Sequence, residues 1–371
     1  MSEFRLPAEW EPQAAIWLGW PHQHADWPGK FGPVPWVFAE IIRYISASQK
    51  VRLLVQNAKE ETQVREVLGR AHANLKSVEF FHVLTNRGWM RDTGPVFIES
   101  SDECLELSKR HSTLSTKHSK ILLDFRSTGW AKYPNHRLDN RVRECISPLL
   151  LPTQAGGVRG GMPLIKPRHK GRHVVLEGGG IDVNGKGALL TTEEWLLSDV
   201  QVRNPGFTRN DYEEIFAKWL GAEHVIWLGN GITGDDTHGH VDDLSRFVNA
   251  TTVATVVERN RKDANHAPLA DNLKRLKRAR DQRGKPLNVV ELPMPKPLVF
   301  EGTRLPASYA NFLITNKLVL MPTFNDPNDR VALGILAECF PGREVVGIHA
   351  VDLVWGFGTL HCLSMQEFLE G

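Results

Sequence analysis

Apolar residues recur along the chain at two spacings, and the alternation between them predicts a mixed α/β order. The segment PWVFAEIIRYISAS (35–48) carries apolar positions at helical spacing and opens on Pro35, which suits a first helical turn. VRLLVQ (51–56) follows as a strand, KEETQVREVLGRAH (59–72) as a helix and VEFFHVL (78–84) as a strand. The same grammar returns further on. TRNDYEEIFAKWLG (208–221) predicts a helix ending at Gly221, with HVIWL (224–228) as the next strand. RVALGILAECFPG (330–342) predicts a helix stopped by Pro341 and Gly342, with EVVGIHA (344–350) as the strand after it. No linker-like break interrupts this order, so residues 1–371 are expected to form one domain.

Two segments depart from the pattern. SKRHSTLSTKHSK (108–120) is polar and basic and reads as a surface loop or hairpin tip. TQAGGVRGGMPLIKPRHKGRH (153–173) is Gly-rich, basic and aperiodic, and is expected to be a mobile loop suited to covering a site.

Composition narrows the class. A chain of 371 residues, 41% hydrophobic and 24% charged, can bury a substantial core. A net charge of +2 supplies no global field that would favour nucleic acid. The four cysteines, Cys104, Cys145, Cys339 and Cys362, show no close pairing, as expected for free thiols in a reducing compartment. The opening MSEFRLPAEWEPQ lacks a basic-then-apolar signal pattern, and no stretch approaches about 18 uninterrupted apolar residues. A cytoplasmic protein with neither membrane nor nucleic-acid partner is expected; composition leaves a homo-oligomer open.

Several segments carry candidate chemistry. In EGGGIDVNGKGALLTT (177–192), Gly180, Gly185 and Lys186 have phosphate-loop spacing. Gly187 then stands where a hydroxyl is needed, and a strand follows where a helix N-terminus should supply N–H groups. The segment reads instead as a hairpin with Asn184 and Gly185 in a type I′ turn. In DNLKRLKRARDQRGK (271–285), Leu273, Leu276 and Ala279 share a helical face and the cations point outward, with no aromatic residue for base stacking. That is a solvated helix face.

TGDDTHGHVDDLSRFV (233–248) would place His238, His240 and Asp242 on one side of an extended chain. An H-x-H-x-D run resembles half of a zinc hydrolase site, although Asp243 stands where a further His would be wanted. A zinc-dependent hydrolase is therefore a rival reading, as is a polar loop before a strand. GWMRDTGPVFI (88–98) sets Arg91 and Asp92 between apolar residues, which by itself fits a surface pair at a strand start. GTLHCLSM (358–365) contains Cys362. On an extended chain His361 and Cys362 would point to opposite faces, so a base for the thiol must come from elsewhere.

If Cys362, His240, Asp92 and Asp242 met in one cleft, two carboxylates would oppose the oxyanion of amide hydrolysis. They would instead suit a guanidinium, planar and permanently charged, held at both edges while Cys362 attacks its central carbon. The motifs bear on this. LGWP and DWPGKF near the start, MRDTGPVFI, LEGGGIDVNGKGALLTTEEWLL, GHVDDLSRFV, ELPMP, RLPASYANFLITN and GTLHCLSMQ follow in order along nearly the whole chain. Together they resemble the agmatine deiminase and bacterial peptidylarginine deiminase family of guanidine-modifying enzymes.

The resemblance implies a pentein α/β propeller, five ββαβ-type units around a pseudo-fivefold axis, and no metal or organic cofactor. It implies hydrolysis of agmatine to N-carbamoylputrescine and ammonia, a reaction of putrescine biosynthesis. Cys362 matches the nucleophile that forms an amidino-cysteine (thiouronium) intermediate, and His240 the general acid/base. Asp242 and Asp92 match the guanidinium-binding carboxylates. Glu177 and Asn311 fall in motifs that line the family's site, and Trp89 is a candidate for the far end of the pocket. The chain has GFGTLHC and SMQ where the agmatine-specific members carry GGGNIHC and TQQ, with changes at Phe357, Thr359 and Met365. Peptidyl-arginine or another small guanidine therefore remains an alternative substrate, and a non-catalytic guanidine- or polyamine-binding protein an alternative class.

Overall fold

Helical spacing over 35–48 becomes the helix Val34–Ser46, and the run after Asn57 becomes Ala58–Arg70, whose first N–H groups the Asn57 side chain caps. Thr208 and Asp211 form a reciprocal capping box on the helix Arg209–Leu220. That helix ends at Gly221, whose φ of 66° favours glycine. A computed structural model describes residues 3–101, 118–150 and 161–369.

Among the described residues five sheets repeat one order. In each, a middle strand lies antiparallel to one neighbour and parallel to the next. The middle strands are Gln13–Gly19, His118–Leu123, Ala188–Thr192, Thr252–Val257 and Leu318–Thr323. Their antiparallel partners are Ser364–Phe368, Val96–Ser101, Asp182–Val183, Ser245–Asn249 and Leu313–Ile314. Their parallel partners are Lys50–Val55, Leu164–Ile165, His224–Leu228, Asn288–Pro293 and Glu344–His349. Parallel neighbours require a crossover, which is why a helix such as Val34–Ser46, Arg209–Leu220, His266–Arg278 or Asn328–Cys339 separates them in sequence. Ser364–Phe368 pairs with Gln13–Gly19, so the first sheet joins both ends of the described chain.

The sheets bury their middle strands. Ile16, Leu18, Leu189, Val253 and Leu320 are fully enclosed, and each such side chain contributes roughly 1.5–3 kcal/mol when removed from water. The segment just ahead of each antiparallel partner strand is buried too: Met90–Thr93, 177–180, 240–243, 308–311 and 359–362. Each of the five sheets thus sends one short segment inward at an equivalent position.

Two expectations need correction, and a third falls mostly outside the described residues. Segment 108–120 lies outside the described residues up to 117, and its end joins the strand His118–Leu123. Of 153–173, residues up to 160 lie outside the described ones. The remainder contains the strand Leu164–Ile165 and a hairpin, Arg168–His169 with Arg172–His173, turning on Lys170 and Gly171 at φ 47° and 75°. None of 161–173 lines the cavity described below. The hairpin after Ile181 pairs Asp182 with Leu190 and Val183 with Leu189, across the five residues 184–188. Gly185 and Gly187 have positive φ but Asn184 does not, so no type I′ turn forms. The Asn184 carboxamide oxygen closes the loop instead, accepting the N–H groups of Lys186 and Ala188 at 2.9 and 3.0 Å.

Candidate active site

Those five inward segments meet around the Cys362 sulfur. Residues 359–362 turn rather than extend, and the strand begins only at Ser364. The sulfur is 3.5 Å from Asp242 Oδ2 and accepts a hydrogen bond from Asn311 Nδ2 at 3.0 Å. Asn311 is held for this task. Its Oδ1 accepts from Thr359 Oγ1 at 2.8 Å and from the His361 and Cys362 N–H groups at 3.1 and 3.4 Å, which turns Nδ2 toward the sulfur and Asp243. Asn311 was expected to line the substrate pocket; it contacts the thiol.

Asp92 lies on the short helix Met90–Thr93. Its Oδ1 accepts Gly179 N–H at 3.0 Å and its Oδ2 accepts Trp130 Nε1–H at 2.8 Å. Burial raises its carboxyl to about 6, with Glu177 and Asp242 adding to the rise against the opposing pull of His240. His240 Nε2 meets Glu177 Oε2 at 3.0 Å, and its ring stands edge-on to Trp195. Burial alone would depress His240, but the Asp92 charge and the Glu177 bond and charge outweigh it and raise the imidazole to about 9. Glu177 in turn sits against the guanidinium of Arg203 and drops to about 2 despite its burial. His240 Nδ1, 3.9 Å from Asp92 Oδ1, and Asp242 Oδ1 are buried and find no hydrogen-bond partner among the described residues.

Burial, with the charges of Asp242, Asp243 and Asp92, drives the Cys362 thiol well above its ordinary range. Asp242 itself lies below the usual carboxylate range, because the bond and charge of His361 outweigh burial. Asp243 is pushed well up by burial and by its acidic neighbours. These shifts favour the protonated form of the thiol and the ionised form of Asp242 beside it. A cation entering the centre would reverse the trend for the sulfur.

Gly179 makes the centre possible. A Cβ there would lie 2.5 Å from His240 Nδ1 and 3.1 Å from both Asp92 Oδ1 and Asp242 Oδ2. Outward from Cys362 and Asp92 runs a cavity of about 160 Å³ walled by Trp89, Trp130, Tyr133, Trp355 and Phe357, with Asp26, Arg87 and Asp236 among its polar groups. Trp89 Nε1 donates to Asp26 Oδ2 at 3.0 Å, and Arg87 Nε donates to Asp26 Oδ1 at 2.9 Å. Tyr133 donates to Asp236 at 2.7 Å.

Cys362, His240, Asp242, Asp92 and Glu177 thus come together, Asn311 supports the thiol, and Trp89 walls the cavity. His238 does not join them. Its φ of 64° and that of Gly239, 97°, break the expected extended run, and its ring turns to Ser198 at 3.0 Å. Among the described residues the groups close enough to share a cation are Asp242, Asp243 and Cys362, and, away from the centre, the half-buried His169, the buried Asp211 and the exposed Glu214. Neither contains the H-x-H pair that the zinc reading required. Sequence reasoning missed Glu9, Trp130, Asp26, Tyr133 and the place of His361. Glu9 is bonded to His361 across 352 positions, a relation no local pattern carries; an acid flanked by apolar residues in LPAEW was the available signal.

Fold and site together define an α/β protein with an enclosed thiol, imidazole and paired carboxylates at the inner end of a small aromatic-walled cavity. A family model described as Porphyromonas-type peptidyl-arginine deiminase matches residues 5–367, and the chain belongs to that family. It is 31% identical over 383 residues to the "Putative agmatine deiminase" of Marinomonas sp. (strain MWYL1), covering 99% of this chain and 95% of that protein. A substrate-bound cysteine-to-serine variant of C. jejuni agmatine deiminase superposes with a TM-score of 0.81 at 27% identity, over 99% and 96% of the two chains. Agmatine deiminase of Enterococcus faecalis gives 0.82 at 28% identity, over 99% and 96%.

Proposed function

We propose that this chain hydrolyses agmatine to N-carbamoylputrescine and ammonia through a covalent intermediate on Cys362. The observation that carries the reading is the buried Cys362 sulfur beside Asp242, whose Oδ1, like the nearby His240 Nδ1, is buried with no hydrogen-bond partner among the described residues. Asp92 and Asp242 grip the two edges of the guanidinium. The bound cation offsets the carboxylate charge, the Cys362 proton passes out to solvent, and the thiolate attacks the central carbon as the C=N pair moves onto nitrogen. Protonated His240 gives its proton to the departing amine, so ammonia leaves and a thiouronium remains. Water then attacks that carbon and gives His240 a proton. The C–S bond breaks with its electron pair going to sulfur, the hydroxyl proton returns to Cys362, and the ureido product departs.

The reading needs no metal or organic cofactor, since His240 and Asp242 have roles without one. The small aromatic cavity favours a slender chain such as agmatine over a peptide. We read residues 1–371 as one catalytic domain, because all five sheets contribute to the centre, and we read the five sheets as five blades around a pseudo-fivefold axis. Among the described residues no helix is long and apolar enough to cross a membrane, and Cys145, Cys339 and Cys362 are unpaired, which supports a cytoplasmic site of action. The test is ammonia release from agmatine, with and without chelator. Cys362→Ala abolishes it and chelator leaves it unchanged. Full turnover by Cys362→Ala would refute the mechanism.

A further inference from the structure

The residue before the nucleophile has both ends of its ring engaged. His361 Nδ1 lies 2.7 Å from Asp242 Oδ2, and Nε2 lies 3.0 Å from Glu9 Oε2. Glu9 is anchored in turn by the Arg246 guanidinium and, through Oε1, by the Ile314 N–H at 2.8 Å. Arg246 also pairs with Asp182 and donates to the Phe312 carbonyl at 2.9 Å. The His361 carbonyl accepts from Arg91 Nε at 3.2 Å. His361, Asp242, Glu9, Arg246 and Asp182 are all nearly or fully buried. Both ring nitrogens are taken up by carboxylates, which leaves neither for the Cys362 thiol.

We propose that His361 is a positioning residue. It clamps Asp242 by Oδ2 so that Oδ1 is the oxygen presented to the guanidinium, with Glu9 fixing the far side of the ring. Two observations carry this independently: the 2.7 Å bond uses one oxygen of Asp242, and the other oxygen is buried with no partner among the described residues. An unclamped carboxylate could rotate either oxygen toward the Cys362 sulfur, and a site that must hold a planar cation loses from small misplacements. The inference rests on Asp242 being a guanidinium ligand, as set out above.

Two isosteric variants separate the ends of the ring. In His361→Asn the amide can reproduce the Nδ1 donor toward Asp242; in His361→Gln it can reproduce only the Nε2 donor toward Glu9. We expect His361→Gln to lower kcat/KM for agmatine by about 100-fold, and His361→Asn by no more than about tenfold. A role in packing alone would move the two variants together. Equilibrium binding of agmatine in a Cys362→Ser background should weaken in the same order, which reads the clamp without chemistry. Glu9→Gln provides a second route if either His361 variant fails to fold; its KM should rise by about threefold or more. Equal losses in His361→Asn and His361→Gln, or an unchanged KM in Glu9→Gln, would overturn the clamp. Wild-type protein that releases no ammonia from agmatine would instead overturn the proposed function.

Discussion

Asp92 and His240 lie 3.9 Å apart in one enclosed centre, yet burial and neighbours give them different protonation ranges. In the proposed mechanism Asp92 acts as a carboxylate and is pushed up to about 6, and His240 acts as an imidazolium and is raised to about 9. Below the first value Asp92 gains a proton and loses its grip on a guanidinium; above the second, His240 has no proton to give the leaving amine. The kcat/KM profile for agmatine should therefore rise through about pH 6 and fall through about pH 9, measured as initial ammonia release. Asp92→Asn should fold normally and lower kcat/KM by about 100-fold or more, because one edge of a buried cation loses its charge partner. Unchanged kinetics would remove Asp92 from the site. At this scale the motifs marked out Cys362, His240, Asp242 and Asp92, and the fold brings these four together. It was silent on Trp130, whose indole N–H holds Asp92 from 38 positions away.

The elements explain why these residues converge. Each antiparallel strand is preceded by a short non-strand segment, and five such segments supply Asp92, Glu177, His240 with Asp242, Asn311 and Cys362. The close approach at Gly179 is what lets the second and third of them pack. Gly179→Ala should abolish turnover while retaining cooperative unfolding, since its Cβ would meet His240 and both carboxylates. Gly221→Ala is the contrasting case. Its φ of 66° and a Cβ 2.2 Å from the Phe4 carbonyl oxygen predict a loss of about 1–3 kcal/mol in denaturant unfolding with the pH profile of activity unchanged. Periodicity read the helices at Val34–Ser46 and Arg209–Leu220 and the strands beside them well, because amphipathic faces and caps are local. It misjudged 238–242, where positive φ at His238 and Gly239 replaces extension with a turn, and 161–173, where short strands carry no period.

Across the whole molecule the buried Arg246 links segments far apart in the chain. It sits on Ser245–Asn249 and reaches Glu9, Asp182 and the Phe312 carbonyl, tying the environment of the active centre to three other parts of the fold. Arg246→Ala should destabilise the protein by about 3–5 kcal/mol, because it strands two buried carboxylates. Such long-range pairing is why the repeated sheet order could not be read from hydrophobic spacing: no local signal joins Ser364–Phe368 to Gln13–Gly19. The central claim is covalent catalysis by Cys362 on a guanidine. It is tested most directly by rapidly acid-quenching the protein during agmatine turnover and mapping the modified peptide by mass spectrometry. An amidino adduct on Cys362 that forms and decays with ammonia release is the predicted result; ammonia release at full rate with Cys362 unmodified throughout would contradict it.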